Sequence, residues 1–313
     1  MNDLKIFAGH GSPDFAQKVC DYLKVPMGKM TAMKFANDNT FVRIEEPVRG
    51  CDVFLIQSLT RPVNDNLMEL LVMLDAFRRA SAKRITAVIP YYAYGRSDKK
   101  DQPRVPISAR LVADLLTTAG ANRVLLFDLH AGQIQGYFNV PVDELTAEDL
   151  LCEYVKGRNF KDLCVVATDV GISKKARDLA NRLDVPLSII EKRRIGNQDK
   201  TETLNLIGDV AGKTALIFDD EIDTAGSLCN AAEAMLKAGA KEVYSCATHP
   251  VFSGPAIDRI AASPLKEVIV TDSVPIPQEK MLDKITVVSA AHLFADAITR
   301  IHEERSIGEL FNQ

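Results

Sequence analysis

Ala215-Leu-Ile-Phe-Asp-Asp-Glu-Ile-Asp-Thr-Ala-Gly-Ser-Leu228 is the stretch on which the reading of this chain turns. It runs from an apolar strand, Ala215–Asp219, through adjacent carboxylates and a turn rich in hydroxyls and glycine, into a helix over Leu228–Ala238. A turn that opens a helix offers several backbone N–H groups and the positive end of the helix dipole to an anion. Thr224 and Ser227 add hydroxyl donors, and Gly226 lets the backbone approach closely. Asp219 and Asp220, at the strand end, stand where the vicinal hydroxyls of a sugar can be held. A phosphate grip beside a diol grip suits a sugar phosphate.

Outward from that stretch, short apolar runs alternate with amphipathic segments of helical length. Val53–Gln57, Ile85–Pro90, Val124–Asp128, Leu163–Thr168, Val243–Thr248 and Val268–Thr271 read as buried strands; Asn66–Ala80, Ala109–Ala119 and Ser173–Leu183 read as helices. The alternation predicts an α/β fold with mainly parallel sheets and crossover helices. A gapped internal repeat is visible. Val48–Ile56, a helix, Ala80–Ile85 and a strand to Pro90 match Val210–Phe218, a helix, Gly239–Val243 and a strand to Pro250. Two such βαβ units suggest a duplicated domain with its boundary near Pro141–Thr146, giving domains 1–145 and 146–313. Only the second copy carries the Asp-Asp-x-x-Asp-Thr loop, so the halves are expected to do different jobs.

Composition narrows the function classes. The 313 residues suit two domains, and a hydrophobic content of 47% is that of an ordinary globular protein. A net charge of −4 suggests neither a nucleic-acid nor a membrane partner. The six cysteines form no Cys-x-x-Cys pair. With no leader-like N-terminus and no long apolar span, they point to a reducing, cytoplasmic setting. One decoy is excluded. Gly208-Asp-Val-Ala-Gly-Lys-Thr214 is one residue short of a P-loop, and Thr214 opens a strand where a P-loop must open a helix.

The 215–228 stretch resembles the phosphoribosyl-diphosphate loop of the type I phosphoribosyltransferase fold. Asn64-Asp-Asn-Leu-Met-Glu-Leu70, Ile85-Thr-Ala-Val-Ile-Pro-Tyr-Tyr-Ala-Tyr-Gly-Arg96, Asp128-Leu-His-Ala-Gly-Gln-Ile-Gln-Gly136 and Glu191-Lys-Arg-Arg194 resemble the ribose-phosphate diphosphokinase (phosphoribosyl diphosphate synthetase) family, from Lys5 to about Phe311. The resemblance implies two tandem type I phosphoribosyltransferase-like domains. It also implies transfer of the diphosphoryl group of ATP to the anomeric hydroxyl of ribose 5-phosphate, giving 5-phosphoribosyl 1-diphosphate and AMP. Carried over residue by residue, it makes Lys192 and Arg194 catalytic and assigns ATP to Phe35, Asn37, Asn39, Arg96 and Ser97. Ribose 5-phosphate falls to Asp219, Asp220, Asp223, Thr224, Ala225, Gly226 and Ser227, and Mg²⁺ to His130 and Asp169. A homo-oligomer built from dimers, up to a hexamer, is implied as well. The Lys192-Arg193-Arg194 run, after strand-like Leu187–Ile190, reads as a mobile loop that brings cations onto a phosphoryl group in flight, which is where such catalysis needs them.

The chain departs from the family pattern at several positions. Asn39 stands where an acidic residue is common, and Ser97 where Gln is usual, both on the nucleotide side. Ala225 stands where Gly is common, and Ser227 keeps the hydroxyl of a usual Thr. The serines of the family's allosteric phosphate/ADP site align with Pro47, Pro103, Ser306 and Gly308, whereas Arg49 and Arg104 remain. Two other readings are carried. One is a non-catalytic paralogue that regulates a true synthetase or only binds phosphoribosyl diphosphate. The other is a phosphoribosyltransferase, which leaves the N-terminal half unexplained.

Overall fold

The computed structural model describes residues 3–194 and 202–311, with side chains for all of these except 192–194, 202–204 and 311. The contacts divide it into two units, 1–146 with 273–275 and 289–313, and 147–272 with 276–288.

The first unit begins β1 (Leu4–Ala8), α1 (Pro13–Leu23), β2 (Met30–Lys34), β3 (Thr40–Ile44), β4 (Asp52–Ile56), α2 (Val63–Arg79), β5 (Arg84–Ile89), α3 (Ser108–Ala119), β6 (Arg123–Phe127) and β7 (Val142–Leu145). Its main sheet has the order β1-β4-β5-β6-β7, with every pair parallel. The strands are buried on both faces, which is why β4 reads as an unbroken apolar run after Asp52. On α2, buried Asn66, Glu69, Leu70, Met73, Leu74 and Phe77 recur at helical spacing, and Phe77 packs on Phe7 of β1 with ring centroids 4.5 Å apart.

The second unit continues with α4 (Glu148–Gly157), β8 (Leu163–Ala167), α5 (Ser173–Leu183), β9 (Leu187–Arg194), β10 (Glu202–Ile207), β11 (Thr214–Ile222), α6 (Gly226–Lys237), β12 (Glu242–Pro250), α7 (Ala256–Ala262), β13 (Val268–Thr271) and β14 (Ile285–Val288). Its sheet runs β10-β9-β8-β11-β12-β13-β14, antiparallel only at β10. The core beside it is built from residues such as Val166, Ile217, Ala232, Met235, Val243 and Val270. The order β8-β11-β12-β13-β14 repeats β1-β4-β5-β6-β7. In each unit an antiparallel hairpin, β2–β3 or β9–β10, follows the first crossover helix. The repeat read along the chain is therefore a repeat of topology.

Three features differ from the sequence reading. The stretch 289–313, expected with the second domain, belongs to the first unit, because α8 (Ala291–His302) returns to it. Phe294 meets the rings of Phe15 and Phe127 edge-on at 5.1 and 5.2 Å. Second, β11 runs past Asp219 to Ile222, since its ladder with β12 continues to Glu221↔His249 and Ile222↔Pro250. Third, β9 carries on through Lys192-Arg193-Arg194, so these residues form one arm of a hairpin rather than a loop after the strand. Among the described residues no helix is long and apolar enough to cross a membrane.

Candidate active site

In the second unit the chemistry collects at the C-terminal ends of parallel strands, where open α/β sheets gather ligands. Ala167 pairs with Phe218 across β8 and β11, which brings Thr168 level with Asp219. Thr168 Oγ1 donates to Asp219 Oδ2 at 2.9 Å, and the Asp220 N–H donates to Asp219 Oδ1 at 2.9 Å. Asp220 in turn accepts the Glu221 N–H at 2.9 Å. Burial first, and the neighbouring Asp220 carboxylate second, push the Asp219 carboxyl up to about 8. Neither aspartate is a loop residue; each is held by the strand backbone beside it.

The turn after β11 is fixed from two sides. Ser253, beyond β12, donates its N–H to the Asp223 carbonyl at 3.0 Å and its hydroxyl to the Asp223 carboxylate. Ala225 caps α6 in the left-handed conformation, φ 58° and ψ 9°. A residue with a Cβ is strained there by about 1 kcal/mol, and such strain clusters at ligand clamps. The first N–H groups of α6, at Gly226, Ser227 and Leu228, have no carbonyl within the helix to bind. The 223–227 turn, read from the sequence as a phosphate grip, leads directly into this helix start.

Asp169 follows β8 at the same end of this sheet, exposed, and accepts the Ile172 N–H at 3.1 Å through Oδ1. The register Ala167↔Ile189 carries Lys192 and Arg194 beyond the end of β8, in an arm where Lys192 pairs with Leu204 and Arg194 with Glu202. The side chains of Lys192 and Arg194 lie outside the described residues.

In the first unit the expected nucleotide residues form two groups. Phe35, Asn37 and Asn39 share the tip of the β2–β3 hairpin. There the Phe35 N–H donates to the Asn39 carbonyl at 2.9 Å and Asn37 Oδ1 accepts the Asn39 N–H at 3.3 Å. The Phe35 ring is exposed and leans on Phe41 at 5.4 Å, leaving a face for stacking. Arg96 and Ser97 lie in the turn after β5, where Tyr94 is held at φ 66°. A Cβ on Gly95 would stand 3.7 Å from the His130 Cβ, so this turn adjoins the exposed His130 after β6.

The start of α2 connects the two groups. Lys34, at the hairpin, pairs with Asp65 at 2.9 Å, and the Tyr94 hydroxyl donates to Asn64 Oδ1 at 2.5 Å. Between them Pro62, Val63, Asn64, Asp65, Tyr91, Ala93 and Tyr94 line a cavity of about 490 Å³. Asn64 and Asp65, the first two residues of the Asn64-Asp-Asn motif, thus tie hairpin to turn. Thr168, Ser253 and Glu144 were missed outright. Glu144 accepts the Leu129 N–H at 2.8 Å and the Gln135 amide, bracing the backbone next to His130. Nothing local in the sequence marks such supports, since they come from neighbouring strands.

Known proteins resemble this chain along nearly its whole length. Residues 4–120 match the N-terminal domain of ribose phosphate pyrophosphokinase, and residues 192–312 match the phosphoribosyl synthetase-associated domain. A ribose-phosphate pyrophosphokinase of Fusobacterium nucleatum is 50% identical, over 100% of this chain and 99% of its own. One from Caldanaerobacter subterraneus is 53% identical, over 99% and 98%. The crystal structure of phosphoribosylpyrophosphate synthetase from Mycobacterium smegmatis superposes with a TM-score of 0.92 at 46% identity, over 96% of this chain and 99% of that one.

Proposed function

This chain belongs to the ribose-phosphate pyrophosphokinase family, and from that premise we propose that it transfers the diphosphoryl group of ATP to the anomeric hydroxyl of ribose 5-phosphate. The products are 5-phosphoribosyl 1-diphosphate and AMP. The observation that carries this reading is the second unit's sheet end. Two adjacent carboxylates on β11 run into a strained turn and an open helix start, beside Asp169 of the neighbouring strand end.

Asp219 and Asp220 accept hydrogen bonds from the ribose hydroxyls, and the Asp223–Ser227 turn holds the 5-phosphate. The anomeric oxygen attacks the β-phosphorus of ATP and AMP leaves in line. Lys192 and Arg194, on the β9 arm, offset the charge that develops on the diphosphoryl oxygens. Phe35 stacks on the nucleobase, Asn37 and Asn39 contact the nucleotide, and Arg96 and Ser97 meet its phosphates.

Mg²⁺ is the ion generally used by kinase-type enzymes. Among the described residues no three His, Cys, Asp or Glu side chains form a metal cage. That fits Mg²⁺, which keeps most of its waters and takes one or two protein donors plus phosphate oxygens. His130 and Asp169 are the donors we assign; when bound, the ion neutralises phosphate charge and orients the in-line displacement. The assembly is a homo-oligomer of dimers, up to a hexamer, in the cytoplasm.

The test is AMP formation by purified protein with MgCl₂ and ATP, with and without ribose 5-phosphate, and GTP and CTP in parallel for the Asn39 and Ser97 departures. AMP that appears only with ribose 5-phosphate establishes the reaction. A folded, magnesium-replete sample that releases no nucleoside monophosphate would favour the non-catalytic paralogue.

Pro47, Pro103 and Gly308 bring no hydroxyl to the site where the family binds regulatory phosphate. Weak activation by phosphate and weak ADP inhibition are therefore expected, read as initial rate against phosphate concentration. Steep activation at low millimolar phosphate contradicts this.

A further inference from the structure

The turn that leads into α6 is gripped by a residue with no role so far. Arg259, exposed on α7, donates from Nη1 to the Thr224 carbonyl at 3.0 Å. In a planar trans peptide the carbonyl and the following N–H point in opposite directions. A Thr224 carbonyl turned toward Arg259 therefore turns the Ala225 N–H away from α7. The same peptide flipped would exchange that donor for an acceptor, which repels a phosphate dianion.

The neighbourhood shows why this peptide needs a fastener. Ala225 sits at φ 58°, a conformation that a residue with a Cβ adopts reluctantly, so the local backbone alone does not secure it. Gly226 provides the passage for the guanidinium: a Cβ there would lie 3.1 Å from Arg259 Nη1. The approach of α7 is itself secured, because Ser253, three residues before the helix, is bonded to Asp223 through N–H and hydroxyl.

We propose that Arg259 is a positioning residue for ribose 5-phosphate: its guanidinium holds the Thr224–Ala225 peptide with the Ala225 N–H directed at the 5-phosphate. The assignment rests on the reading that the Asp223–Ser227 turn binds that phosphate. Arg259 touches the turn, not the reacting atoms, so it governs KM rather than kcat.

The experiment is steady-state kinetics of the full chain for R259A, R259K and G226A, the double variant R259A/G226A, and D220N as a control on the assignment of ribose 5-phosphate to this sheet end. R259A is expected to raise the KM for ribose 5-phosphate about tenfold, equivalent to about 1.4 kcal/mol. Its kcat and its KM for ATP stay within about twofold. R259K, which keeps one donor, is expected in between. G226A is expected to cost less in the R259A background than in wild type, since its clash is with the arginine. Thermal midpoints confirm that each variant is folded. An unchanged KM for ribose 5-phosphate in R259A, alongside a raised KM in D220N, overturns the role of Arg259 alone. A parallel loss of kcat, of both KM values and of thermal midpoint in R259A and R259K would mean a merely structural arginine, and also overturns it. If D220N also leaves that KM unchanged, the assignment of ribose 5-phosphate to this sheet end falls, and the proposal with it.

Discussion

Lys192→Ala is expected to lower kcat about 10³-fold while the KM for ribose 5-phosphate stays within about threefold. In phosphoryl transfer the protein makes little covalent contribution, so positioned positive charge supplies most of the rate. A cation that meets the diphosphoryl oxygens only as charge builds on them works in the transition state and not in substrate binding. Removing it therefore lowers kcat and kcat/KM together. The backbone supports this assignment to the extent that β9 overshoots the register Ala167↔Ile189 with β8 and carries Lys192 past the end of β8, onto the arm paired with β10. Arg194→Ala is expected to act the same way, and the double variant to fall short of the product of the two, because both serve one charge. Lys192→Arg should restore only part of the rate, since a planar fork is a poor replacement for a compact ammonium. Initial rates of AMP release at saturating substrates decide the matter. A kcat for Lys192→Ala within about threefold of wild type would remove Lys192 from the chemistry and reopen the paralogue reading.

What the sequence discloses and what it hides have separable physical causes. The parallel strands are legible because burial on both faces makes them continuous apolar runs, as at β4 and at Leu163–Ala167. The β2–β3 hairpin is not. Met30–Lys34 and Thr40–Ile44 are only partly buried and show neither a continuous apolar run nor clean alternation. Phe35 could be named from a family likeness but could not be placed on a hairpin tip. Asp219 and Asp220 looked like the end of a strand because carboxylates are depleted in strands. The ladder from β12 overrides that preference. The return of α8 to the first unit is a packing event, decided by Phe294 against Phe15 and Phe127, and chain order says nothing about it. The same holds for Thr168, Ser253 and Arg259, each of which reaches the candidate site from a neighbouring segment.

Asp219→Asn is expected to stabilise the chain at alkaline pH and to weaken ribose 5-phosphate binding, both through the same carboxyl. Asp219 is half-buried beside Asp220 and is pushed up to about 8 from an ordinary value near 4. Below about pH 4 the folded and unfolded chains both hold this proton, and the group adds no pH dependence. Between about pH 4 and 8 the folded chain keeps a proton that the unfolded chain has released, so stability falls as pH rises. Above about 8 both have lost it, and the full penalty of a buried like-charged pair remains. Asparagine has the same shape, still accepts the Asp220 N–H through Oδ1, and carries no charge to desolvate. The thermal midpoint of D219N should therefore equal wild type near pH 4.5 and exceed it by about 5 °C at pH 8.5. A gap that does not widen with pH would mean that Asp219 ionises normally in the folded chain.

The loss of function follows from the same arrangement. An ionised carboxylate accepts ribose hydroxyls with charge-assisted bonds that an amide cannot match. D219N is thus expected to raise the KM for ribose 5-phosphate roughly 10- to 100-fold. Because the sugar is bound by the ionised form, its affinity for wild type should strengthen from pH 7 to 9, and that slope should vanish in D219N. Titration calorimetry at fixed magnesium across this range reads both effects. A pair of carboxylates that destabilises the empty site is thereby the source of its selectivity for a ligand that brings hydroxyl donors, and its removal trades affinity for stability.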